Sequence, residues 1–467
     1  MQNILKPLVA VLAVLIFARI IAGPPKPKGL IVMTNLKLRQ LETAAFQVDA
    51  PTAVRVDATG STDERDGASG LATSVWILNT RDRTVVWDME QRPLVEGRGT
   101  LRHVKADTFI LDPGRYEAYF ASYGQLVHRS DRTLGRDQKA WRFVLRTVGR
   151  NASAHKIHHK HTVVDPAVVW DATKLGNSER REYLFEVTQS VTVTVSATGE
   201  VRPNERMDHS WIARAVNGQR VWSLTAERSE PAGGAASNRR STAVLELSPG
   251  IYRAAAETDR SHAYGAWRGN PPHDPDAWGM KISAADPTAV KPFDPWQSRE
   301  PIISFVRVGN DKNLSQRFEV AEPAAVVIWG MGEIIGNPEH AWDFAQLDQE
   351  SPRHQELWKM TLANSKHAGG GRKNRYELKF LWLNPGVYTL RYESDDSHAW
   401  RSWNADEPDF PERWGVTMFP VSSLLPDGAV TLLDNDTRLS RSSEAPPSPG
   451  SPGAAAQGES ARDGWRP

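Results

Sequence analysis

The sequence predicts an all-β protein made of three tandem antiparallel β-sandwich modules. A Pro-Gly-x-Tyr turn occurs three times, and its glycines Gly114, Gly250 and Gly386 are evenly spaced (250 − 114 = 386 − 250 = 136). Spacing of this kind indicates an internal repeat. Apolar and polar residues alternate strictly in stretches such as 191–196, which is typical of half-buried strands. Turn signals recur every several residues and no long amphipathic helix is evident, a pattern that favours antiparallel sandwiches.

Each repeat presents the same elements in the same order. A Phe-x-Val strand begins at Phe46, Phe185 and Phe318, and the next, alternating strand leads to a glycine. Tryptophans mark the strands that follow, and the last strand begins at a tryptophan that we predict to lie in the core. These residues are, repeat by repeat, Gly60, Trp76, Trp87 and Trp141; Gly199, Trp211, Trp222 and Trp278; and Gly332, Trp342, Trp358 and Trp414. The predicted modules cover residues 30–149, 165–286 and 300–422, and the predicted linkers are 149–166 and 286–301.

The two ends of the chain differ from the modules. Residues 1–23 combine a short basic start with a short apolar run, which suits a secretory signal peptide. If this segment is not cleaved, residues 4–22 are close to the ~20 residues that span a membrane. We expect export to the periplasm or cell surface; basic residues after the segment make a cytoplasmic membrane face the alternative. Residues 438–467 are rich in Pro, Ser, Gly and Ala and are predicted to form a disordered tail.

Composition excludes several classes of function. Lys plus Arg number 57 and Asp plus Glu number 56, so the chain lacks the basic excess of a dedicated nucleic-acid binder. The chain has no cysteine, which excludes disulfides, thiolate metal sites and thiol catalysis. Its 17 tryptophans supply large apolar faces that serve both cores and binding surfaces.

The ends of each module carry a family resemblance. In the third module the matching residues are Gly309-Asn310, Phe318-Glu319-Val320 and the run from Leu383 to Leu390. They resemble the bacterial pre-peptidase C-terminal domain and related jelly-roll sandwiches. Members of that family are usually non-catalytic appendages of secreted bacterial proteins, and some bind polysaccharide or calcium. The resemblance therefore implies jelly-roll-like modules in a bacterial envelope protein.

Modules two and three share a set of polar and aromatic residues that module one lacks. The pairs are Glu200 and Glu333, His209 and His340, Asn238-Arg239 and Asn374-Arg375, Asp259 and Asp395, Ser261 and Ser397, His262 and His398, and Trp267 and Trp403. Residues that are present or absent together most simply touch one another. We therefore expect Asp395 and His398 to contact His340 or Arg375, and Asp259 and His262 to contact His209 or Arg239.

Two interpretations of this set remain open. Glu333, His340, Asp395, Asp396 and His398 have the donor types that could ligate a divalent cation, and calcium is the cofactor to consider. Alternatively, Asp and Ser cap a loop through hydrogen bonds to the backbone while His packs against Trp. We favour the loop interpretation and expect no cofactor.

The loop tryptophans also allow two interpretations. Trp267 and Trp403 lie beside polar residues such as Asn404 rather than in alternating strands. An exposed indole in that setting suits stacking on a sugar ring or holding a proline-rich peptide. The other interpretation, which we favour, is that each indole closes the open end of its own sandwich.

No catalytic motif is evident. The glycine-rich segments 233–239 and 369–375 lack the Gly-Lys-Ser/Thr ending of a phosphate loop, and we predict mobile hairpin loops there. Ser397 and His398 are adjacent, and neighbours in an extended strand point to opposite faces. Hydrolysis by Glu333 with Asp395 or Asp396 is the remaining catalytic alternative.

The sequence thus predicts a non-enzymatic envelope protein that acts as a structural or protein-interaction scaffold, including as an accessory subunit of a membrane-associated assembly. The expected partner is another envelope or membrane protein, or a polysaccharide if Trp267 and Trp403 bind glycans. Residues 4–22 would contact the membrane if they are retained, and no nucleic-acid partner is expected.

Overall fold

The structure is a computed structural model of the 467-residue chain. The described residues are 27–63, 70–123, 137–149, 152–158, 165–203, 205, 207–336, 340–422 and 428–435. The predicted signal or anchor segment 1–23 and the predicted tail 438–467 lie outside them.

The prediction of an all-β, antiparallel fold is confirmed. The described chain forms six sheets, and their strands fall into three consecutive groups of two sheets each. We call these groups the first, second and third sheet pairs. Within the described ranges, the one α-helix is α1 (Pro295–Ser298), so no helix there has the length and apolarity needed to cross a membrane.

The first sheet pair contains strands β1 to β11. One sheet has the order β1-β10-β3-β8-β7 with β4 paired to β3, and the other has the order β11-β2-β9-β5-β6. The strands are β1 (Ile31–Thr34), β2 (Leu41–Val48), β3 (Thr52–Asp63), β4 (Gly70–Leu71), β5 (Ser74–Asn79), β6 (Val85–Asp88), β7 (Val95–Glu96), β8 (Leu101–Leu111), β9 (Gly114–Ala121), β10 (Arg142–Thr147) and β11 (Ala154–Ile157).

The second sheet pair repeats this topology with strands β12 to β21. Its sheets have the orders β12-β20-β14-β18-β17 and β16-β15-β19-β13-β21. The strands are β12 (Val168–Thr173), β13 (Arg180–Val187), β14 (Val191–Glu200), β15 (His209–Arg214), β16 (Arg220–Ser223), β17 (Glu230–Pro231), β18 (Asn238–Leu247), β19 (Gly250–Glu257), β20 (Gly279–Ala284) and β21 (Val290–Pro292).

The third sheet pair contains β22 to β32. Its sheets have the orders β22-β31-β24-β29-β28, with β25 paired to β24, and β27-β26-β30-β23-β32. The strands are β22 (Ile303–Val306), β23 (Lys312–Val320), β24 (Ala324–Ile335), β25 (His340–Ala341), β26 (Phe344–Ser351), β27 (Gln355–Lys359), β28 (Lys366–His367), β29 (Asn374–Leu383), β30 (Gly386–Ser394), β31 (Gly415–Pro420) and β32 (Val430–Leu433).

The two repeated motifs of the sequence pack against each other. In the second sheet pair, Phe185 of β13 lies opposite Tyr252 of β19, and the two rings stack with centroids 5.6 Å apart. The Tyr252 hydroxyl donates to the carbonyl oxygen of Ser248, 2.9 Å away, on the other side of the Pro-Gly turn. Phe46 with Tyr116, and Phe318 with Tyr388, form the same stack. Each Pro-Gly-x-Tyr turn is therefore anchored to a Phe-x-Val strand, which explains why the motifs recur together.

The segments predicted as linkers contribute to the sheets. β11, in the first predicted linker, pairs with β2, and β21, in the second, pairs with β13. β32, which follows the predicted third module, pairs with β23 at the same sheet edge. The linker interpretation is corrected accordingly, because a strand from the connecting segment completes each preceding sheet. Strands of three or four residues are too short for alternation of apolar and polar residues to reveal them.

Successive sheet pairs also touch. Among buried apolar residues, Trp76 and Tyr119 of the first pair belong to the core cluster of the second. After β21, Phe293 lies against Phe380 of the third pair, with ring centroids 6.1 Å apart. Arg299 then forms an ion pair with Glu186 of the second pair at 2.6 Å. The described chain is therefore held together by side-chain contacts as well as by its backbone.

Candidate functional site

A buried histidine–asparagine pair lies at the same place in the second and third sheet pairs. His262 Nε2 lies 2.6 Å from Asn238 Oδ1, and His398 Nε2 lies 2.5 Å from Asn374 Oδ1. Both histidines follow the strand that begins at the Pro-Gly turn, and both have left-handed backbones with φ of 54° and 52°. The expectation of an extended backbone around Ser397 and His398 is corrected, since the chain turns sharply at the histidine.

The second ring nitrogen of each histidine accepts hydrogen bonds from a loop. Backbone N–H groups of Arg268 and Gly269 donate to His262 Nδ1 at 3.1 Å, and that of Asn404 donates to His398 Nδ1 at 3.3 Å. Nδ1 is thus an acceptor, so Nε2 carries the proton that it donates to asparagine. Burial lowers the pKa of both histidines to about 4, so both are neutral at physiological pH.

Each asparagine also hydrogen-bonds the backbone of the loop in its own sheet pair. The Asn238 amide donates at 2.9 Å to the carbonyl oxygens of Gly233 and Asn270. The Asn374 amide donates at 2.9 Å to those of Gly369 and Asp406. These bonds tie the glycine-rich segment to the loop after the histidine, which is 268–277 in the second pair and 404–413 in the third.

The glycines let the two segments approach closely. Gly234 and Gly370 adopt left-handed backbones with φ of 69° and 61°. A Cβ atom at either position would overlap a backbone carbonyl oxygen, of Pro271 or Glu407 respectively. Segments 233–239 and 369–375, predicted as hairpin loops, therefore also serve as the base on which the neighbouring loop rests.

Two buried aspartates complete this arrangement. Asp208 accepts hydrogen bonds from the backbone N–H groups of Glu200 (2.9 Å) and Asp259 (3.0 Å). Asp343 accepts from the N–H of Asp395 (3.0 Å) and from the indole of Trp414 (2.9 Å). Burial raises the pKa of both carboxyl groups to about 7.

Sequence reasoning missed Asp208 and Asp343. Asp208 directly precedes His209, and Asp343 directly follows Trp342. The spacing between the two aspartates is one residue shorter than the repeat (343 − 208 = 135), which hides the correspondence. The signal that could have revealed them is an acidic residue just before a strand that is otherwise apolar.

The predicted site residues are brought together only in part. Asp259 and Asp395 accept from the backbone N–H two residues later, at 2.8 and 3.0 Å, as expected for loop caps. Arg239 and Arg375 instead bond Ser229 and Ser365.

Other members of the predicted set do not contact His262 or His398. His340 stacks on the half-exposed Trp342, with ring centroids 5.5 Å apart, and His209 is exposed at the start of β15. Asp396 is exposed and its backbone oxygen accepts from the Asn310 amide at 2.6 Å. The predicted contact to His or Arg is thus replaced by contacts to Asn and to a buried Asp.

The buried glutamates are already paired with basic residues. Glu333 accepts from Lys373 Nζ at 2.9 Å, and Glu200 accepts from Arg202 at the same distance. Burial raises the pKa of Glu333. Among the described residues, no group of three or more His, Asp or Glu side chains is arranged to hold a metal ion.

The loop tryptophans pack inward. Trp267 is 4% exposed and meets Trp278 edge-on at 5.0 Å between ring centroids. Trp403 is half-buried and meets Trp414 in the same way at 4.9 Å, while Asn404 beside it is exposed. Each indole closes the end of its sheet pair above the histidine. We name the buried groups the support clusters: Asn238, His262, Asp208, Trp267 and Trp278 in the second pair, and Asn374, His398, Asp343, Trp403 and Trp414 in the third.

The first sheet pair has simpler chemistry at this end. Trp141 takes the place of Trp278 and Trp414, and its indole donates to Ser61 Oγ at 2.8 Å. The backbone N–H of Ser61 in turn donates to Thr73 Oγ1 at 2.9 Å. Neutral hydroxyl groups therefore replace the buried carboxylate there.

Loop 268–277 of the second sheet pair is bound to the first. The indole of Trp76 donates to the carbonyl oxygen of His273 at 2.6 Å, and the guanidinium of Arg83 binds both carboxylate oxygens of Asp274, with Nε to Oδ2 at 2.8 Å. The Asn270 amide donates to the Leu71 carbonyl oxygen at 2.9 Å. The loop thus recognises an indole and a guanidinium on the neighbouring sheet.

Loop 404–413 of the third sheet pair has the same base but a different surface. Asp406, Glu407 and Asp409 are exposed, and Phe410, in the position of Asp274, is 45% exposed. Among the described residues, no ion pair reaches the carboxylates of these three acids. The loop therefore presents three carboxylates to solvent, together with an aromatic ring that the Arg413 guanidinium partly covers, 4.4 Å from the ring centroid.

The chemistry of the support clusters is structural. Both nitrogens of each histidine are used in hydrogen bonds, and protein groups surround them. A general base needs a free nitrogen within reach of a substrate proton, and neither histidine provides one. The loops themselves offer hydrogen-bond acceptors and apolar surface, which suit recognition of another protein surface.

Comparison with known proteins adds little. No family model matches the chain, and no curated protein matches it. Among solved structures, the dimeric latent PorU from Porphyromonas gingivalis aligns with 79% of this chain at 11% identity and a TM-score of 0.14. The alignment covers 33% of the PorU chain, so this chain spans about a third of its length.

Proposed function

We propose that the chain is a non-enzymatic scaffold of three tandem β-sandwich modules, each formed by one sheet pair, that acts through protein–protein contacts in a bacterial envelope. The observation that carries the proposal is the binding of loop 268–277 to Trp76 and Arg83 of the preceding sheet. This loop, which recurs in the repeat, attaches the second sheet pair to the first.

Charge and burial support a stable contact at this place. The side chain of Asp274 is 18% exposed and that of Arg83 is 33% exposed, so their ion pair is largely shielded from solvent. Arg83 also bonds Glu117 at 3.1 Å, and Glu117 accepts from the Tyr119 hydroxyl at 2.5 Å. A bidentate guanidinium–carboxylate pair within such a network fixes orientation as well as distance.

The alternatives lack comparable support. Glycan binding by Trp267 and Trp403 would require an exposed indole face, and these rings pack on Trp278 and Trp414. Hydrolysis by Glu333 would require a free carboxylate opposite a second acid, and Glu333 is buried and paired with Lys373. Location in the envelope, with residues 4–22 as the membrane contact if retained, is part of the proposal and rests on the sequence pattern.

The test measures whether the sheet pairs form one rigid array. Because the chain has no cysteine, spin labels can be placed at Asp112→Cys and Ser190→Cys alone. We expect a single narrow distance distribution in the parent and a broad one in Arg83→Ala, since that change removes the bond to Asp274. Arg220→Ala is the matched control: Arg220 is an exposed arginine that stacks on Trp211 within the second sheet pair.

Two results would contradict the proposal. One is a distribution in Arg83→Ala as narrow as in Arg220→Ala, because the loop contact would then not hold the array. The other is a saturable change of indole fluorescence with a polysaccharide that is lost in Trp403→Ala, because that result would establish glycan binding instead.

A further inference from the structure

We propose that Trp400, Arg307 and Arg401 of the third sheet pair form a docking site for an acidic segment of a partner protein. The inference rests on the proposed function, because it names the chemistry of a partner that such a scaffold binds. The three side chains lie together: Cζ of Arg307 is 5.7 Å from the centroid of the Trp400 ring, and Cζ of Arg401 is 5.6 Å from it. We name these three residues the arginine–tryptophan site.

Matching backbone bonds identify the equivalent residues of the second sheet pair. In each pair the N–H of the aromatic residue donates at 3.0 Å to a carbonyl oxygen, and a basic residue directly precedes that acceptor. The equivalent aromatic, acceptor and basic residues are Tyr264 and Trp400, Leu175 and Val308, and Lys174 and Arg307. Both basic residues have left-handed backbones, with φ of 58° and 54°. The two sheet pairs therefore place a cation beside an aromatic ring in the same way.

In the second sheet pair a carboxylate binds this cation. Lys174 Nζ lies 5.8 Å from the centroid of the Tyr264 ring and forms an ion pair with Asp276 at 2.8 Å. Glu412 holds the place of Asp276 in the repeat (412 − 276 = 136), but its ion pair is with Arg413, at 3.8 Å. The third sheet pair thus keeps the cation and the ring and uses the corresponding acid elsewhere.

The arginine–tryptophan site is accessible to a ligand. Both arginines are exposed, and Trp400 is half-buried. Among the described residues, no carboxylate forms an ion pair with Arg307 or Arg401, and the Trp400 indole N–H donates to no protein group. Hydrogen bonds from a guanidinium to a carboxylate are charge-assisted and short. The site therefore offers two cations and an indole to an anionic group.

Arg401 is present despite a strained backbone. Its φ is 65°, and the equivalent residue of the second sheet pair is Gly265, with φ of 75° (401 − 265 = 136). Glycine adopts this conformation readily, whereas a residue with a Cβ atom does so at a cost in free energy. Such residues cluster at active sites and ligand clamps. The third sheet pair thus adds a second cation beside the ring at a position where the backbone favours glycine.

The contact between the first and second sheet pairs indicates that the ligand is a peptide. There, Trp76 and Arg83 bind consecutive groups of one segment, the carbonyl oxygen of His273 and the carboxylate of Asp274. Asp276, two residues further on, binds the lysine described above. An Asp-Pro-Asp segment thus supplies carboxylates to two pairs of basic and aromatic residues within this protein. The arginine–tryptophan site has the same chemistry, so the same kind of segment suits it.

The experiment measures the binding of a labelled peptide to the full chain by fluorescence anisotropy. The probe is fluorescein-labelled His-Asp-Pro-Asp-Ala, the sequence of residues 273–277, and the control peptide has Asn in place of both Asp residues. We expect saturable binding of the acidic peptide to the parent. Binding to Arg307→Ala with Arg401→Ala should be weaker by at least about tenfold, because the charge-assisted hydrogen bonds are lost.

Two further variants make the result specific. Arg220→Ala is the matched control, since it removes an exposed guanidinium that lies over the Trp211 ring in the second sheet pair, and it should bind the peptide as the parent does. Arg401→Gly introduces the residue of the second sheet pair. We expect it to weaken peptide binding without lowering the thermal denaturation temperature, because glycine relieves the left-handed backbone. A purely structural Arg401 would give the opposite result.

Several results would overturn the proposal. They are the absence of saturable binding to the parent, equal binding of the acidic and Asn-containing peptides, and equal binding to Arg220→Ala and to Arg307→Ala with Arg401→Ala. Binding of polygalacturonate that requires both arginines, without binding of the peptide, would assign the site to an acidic polysaccharide instead. Self-association of the parent in sedimentation velocity that the double change abolishes would assign it to a second copy. None of these results affects the rigid array, which is tested by the distance distribution in Arg83→Ala.

Discussion

The second and third sheet pairs share one support cluster and use the loop above it differently. Asn238 and Asn374, with His262 and His398, hold backbone groups at matching positions. Above them, Asp274 binds Arg83 of the first sheet pair, whereas its counterpart Phe410 is exposed. The difference teaches that the shape of the loop and its binding specificity are set by separate residues.

This separation has a physical basis. The support clusters act through buried hydrogen bonds to backbone atoms, which are insensitive to the side chains on the loop. Exposed loop side chains, such as those of Asp406 and Glu407, can vary without affecting those bonds. A repeat built in this way can keep its fold while each copy acquires its own partner.

The largest expected effect comes from removing the asparagine. Asn374→Ala leaves the Gly369 carbonyl oxygen and the His398 N–H without partners, and each unpaired buried group costs about 1–3 kcal/mol. The Asp406 carbonyl oxygen loses one of its two donors and keeps the N–H of Gly371. We expect the third sheet pair to lose about 3 kcal/mol or more of unfolding free energy in urea denaturation, by the same reasoning.

The equivalent change in the second pair sharpens the comparison. In Asn238→Ala, loop 268–277 is still held by Trp76 and Arg83, so its backbone should gain less hydrogen exchange than loop 404–413 gains in Asn374→Ala. Asn217→Ala, an exposed turn position, is the control for loss of an amide. Equal exchange in the two loops would show that contact with the first sheet pair does not stabilise loop 268–277.

The next effect comes from the glycines beneath the loops. Gly234→Ala and Gly370→Ala combine a left-handed backbone with overlap of the new methyl group on a carbonyl oxygen. Gly218→Ala is a matched control, because Gly218 has φ of 69° and no atom within 4 Å of an added Cβ. We expect all three to lose about 1–3 kcal/mol of unfolding free energy from backbone strain, with a further loss only in the first two. Thermal denaturation measures the difference, and identical losses would mean that the loops yield to the methyl group without cost.

The sequence predicted the all-β fold because its determinants are local. The Phe-x-Val and Pro-Gly-x-Tyr motifs report strands and turns within a few residues, and both appear in all three repeats. The strands of the connecting segments, such as Val290–Pro292, are too short to show alternation, so they were predicted as linkers.

The site was predicted only in part, for two physical reasons. Asn374 was named in the shared set together with Arg375, but Arg375 was the one expected to contact His398, since nothing in a sequence says which of two adjacent polar residues points inward. The partner of loop 268–277 depends on tertiary contact, because Trp76 and His273 are 197 residues apart. The histidines were identified because they recur, but their role follows from a left-handed backbone that spacing does not reveal.

A smaller effect is the pH dependence of stability that the titratable groups of the support clusters produce. The pKa of His262 and His398 is lowered to about 4, so their contribution to stability is present above the ordinary value of 6.5 and is lost as pH falls toward 4. The pKa of Asp208 and Asp343 is raised to about 7 from 3.8, so their contribution is greatest near pH 4 and is lost as pH rises to 7. The two contributions oppose each other across this window.

Removing the histidines should therefore expose the aspartate contribution. We expect the unfolding free energy of a His262→Gln, His398→Gln variant to fall steadily from pH 4 to 7, more steeply than that of the parent. Denaturant titration across this pH range makes the comparison. The first sheet pair adds a slope of the same sign, because burial raises the pKa of Glu90 from 4.5 to about 7. A variant whose stability rises with pH would show that the aspartates remain ionised in the folded chain.

The smallest expected effect comes from a single aspartate on loop 404–413, compared with one on loop 268–277. Asp409→Asn should change the unfolding free energy by less than about 0.5 kcal/mol, because Asp409 is exposed and has no ion pair among the described residues. Asp274→Asn keeps the size of the side chain but removes the charge that binds Arg83, and a hydrogen bond to a charged group is worth about 1.5–3 kcal/mol. Denaturation of the two variants side by side, with salt varied, measures both. If Asp274→Asn were as neutral as Asp409→Asn, the ion pair on the first sheet would add no stability, and the contact would depend on its other members, which include Trp76, Asn270 and the pair of His273 with Asp88. If Asp409→Asn cost as much as Asp274→Asn, and salt reduced that cost, a basic group would engage loop 404–413 in the folded chain.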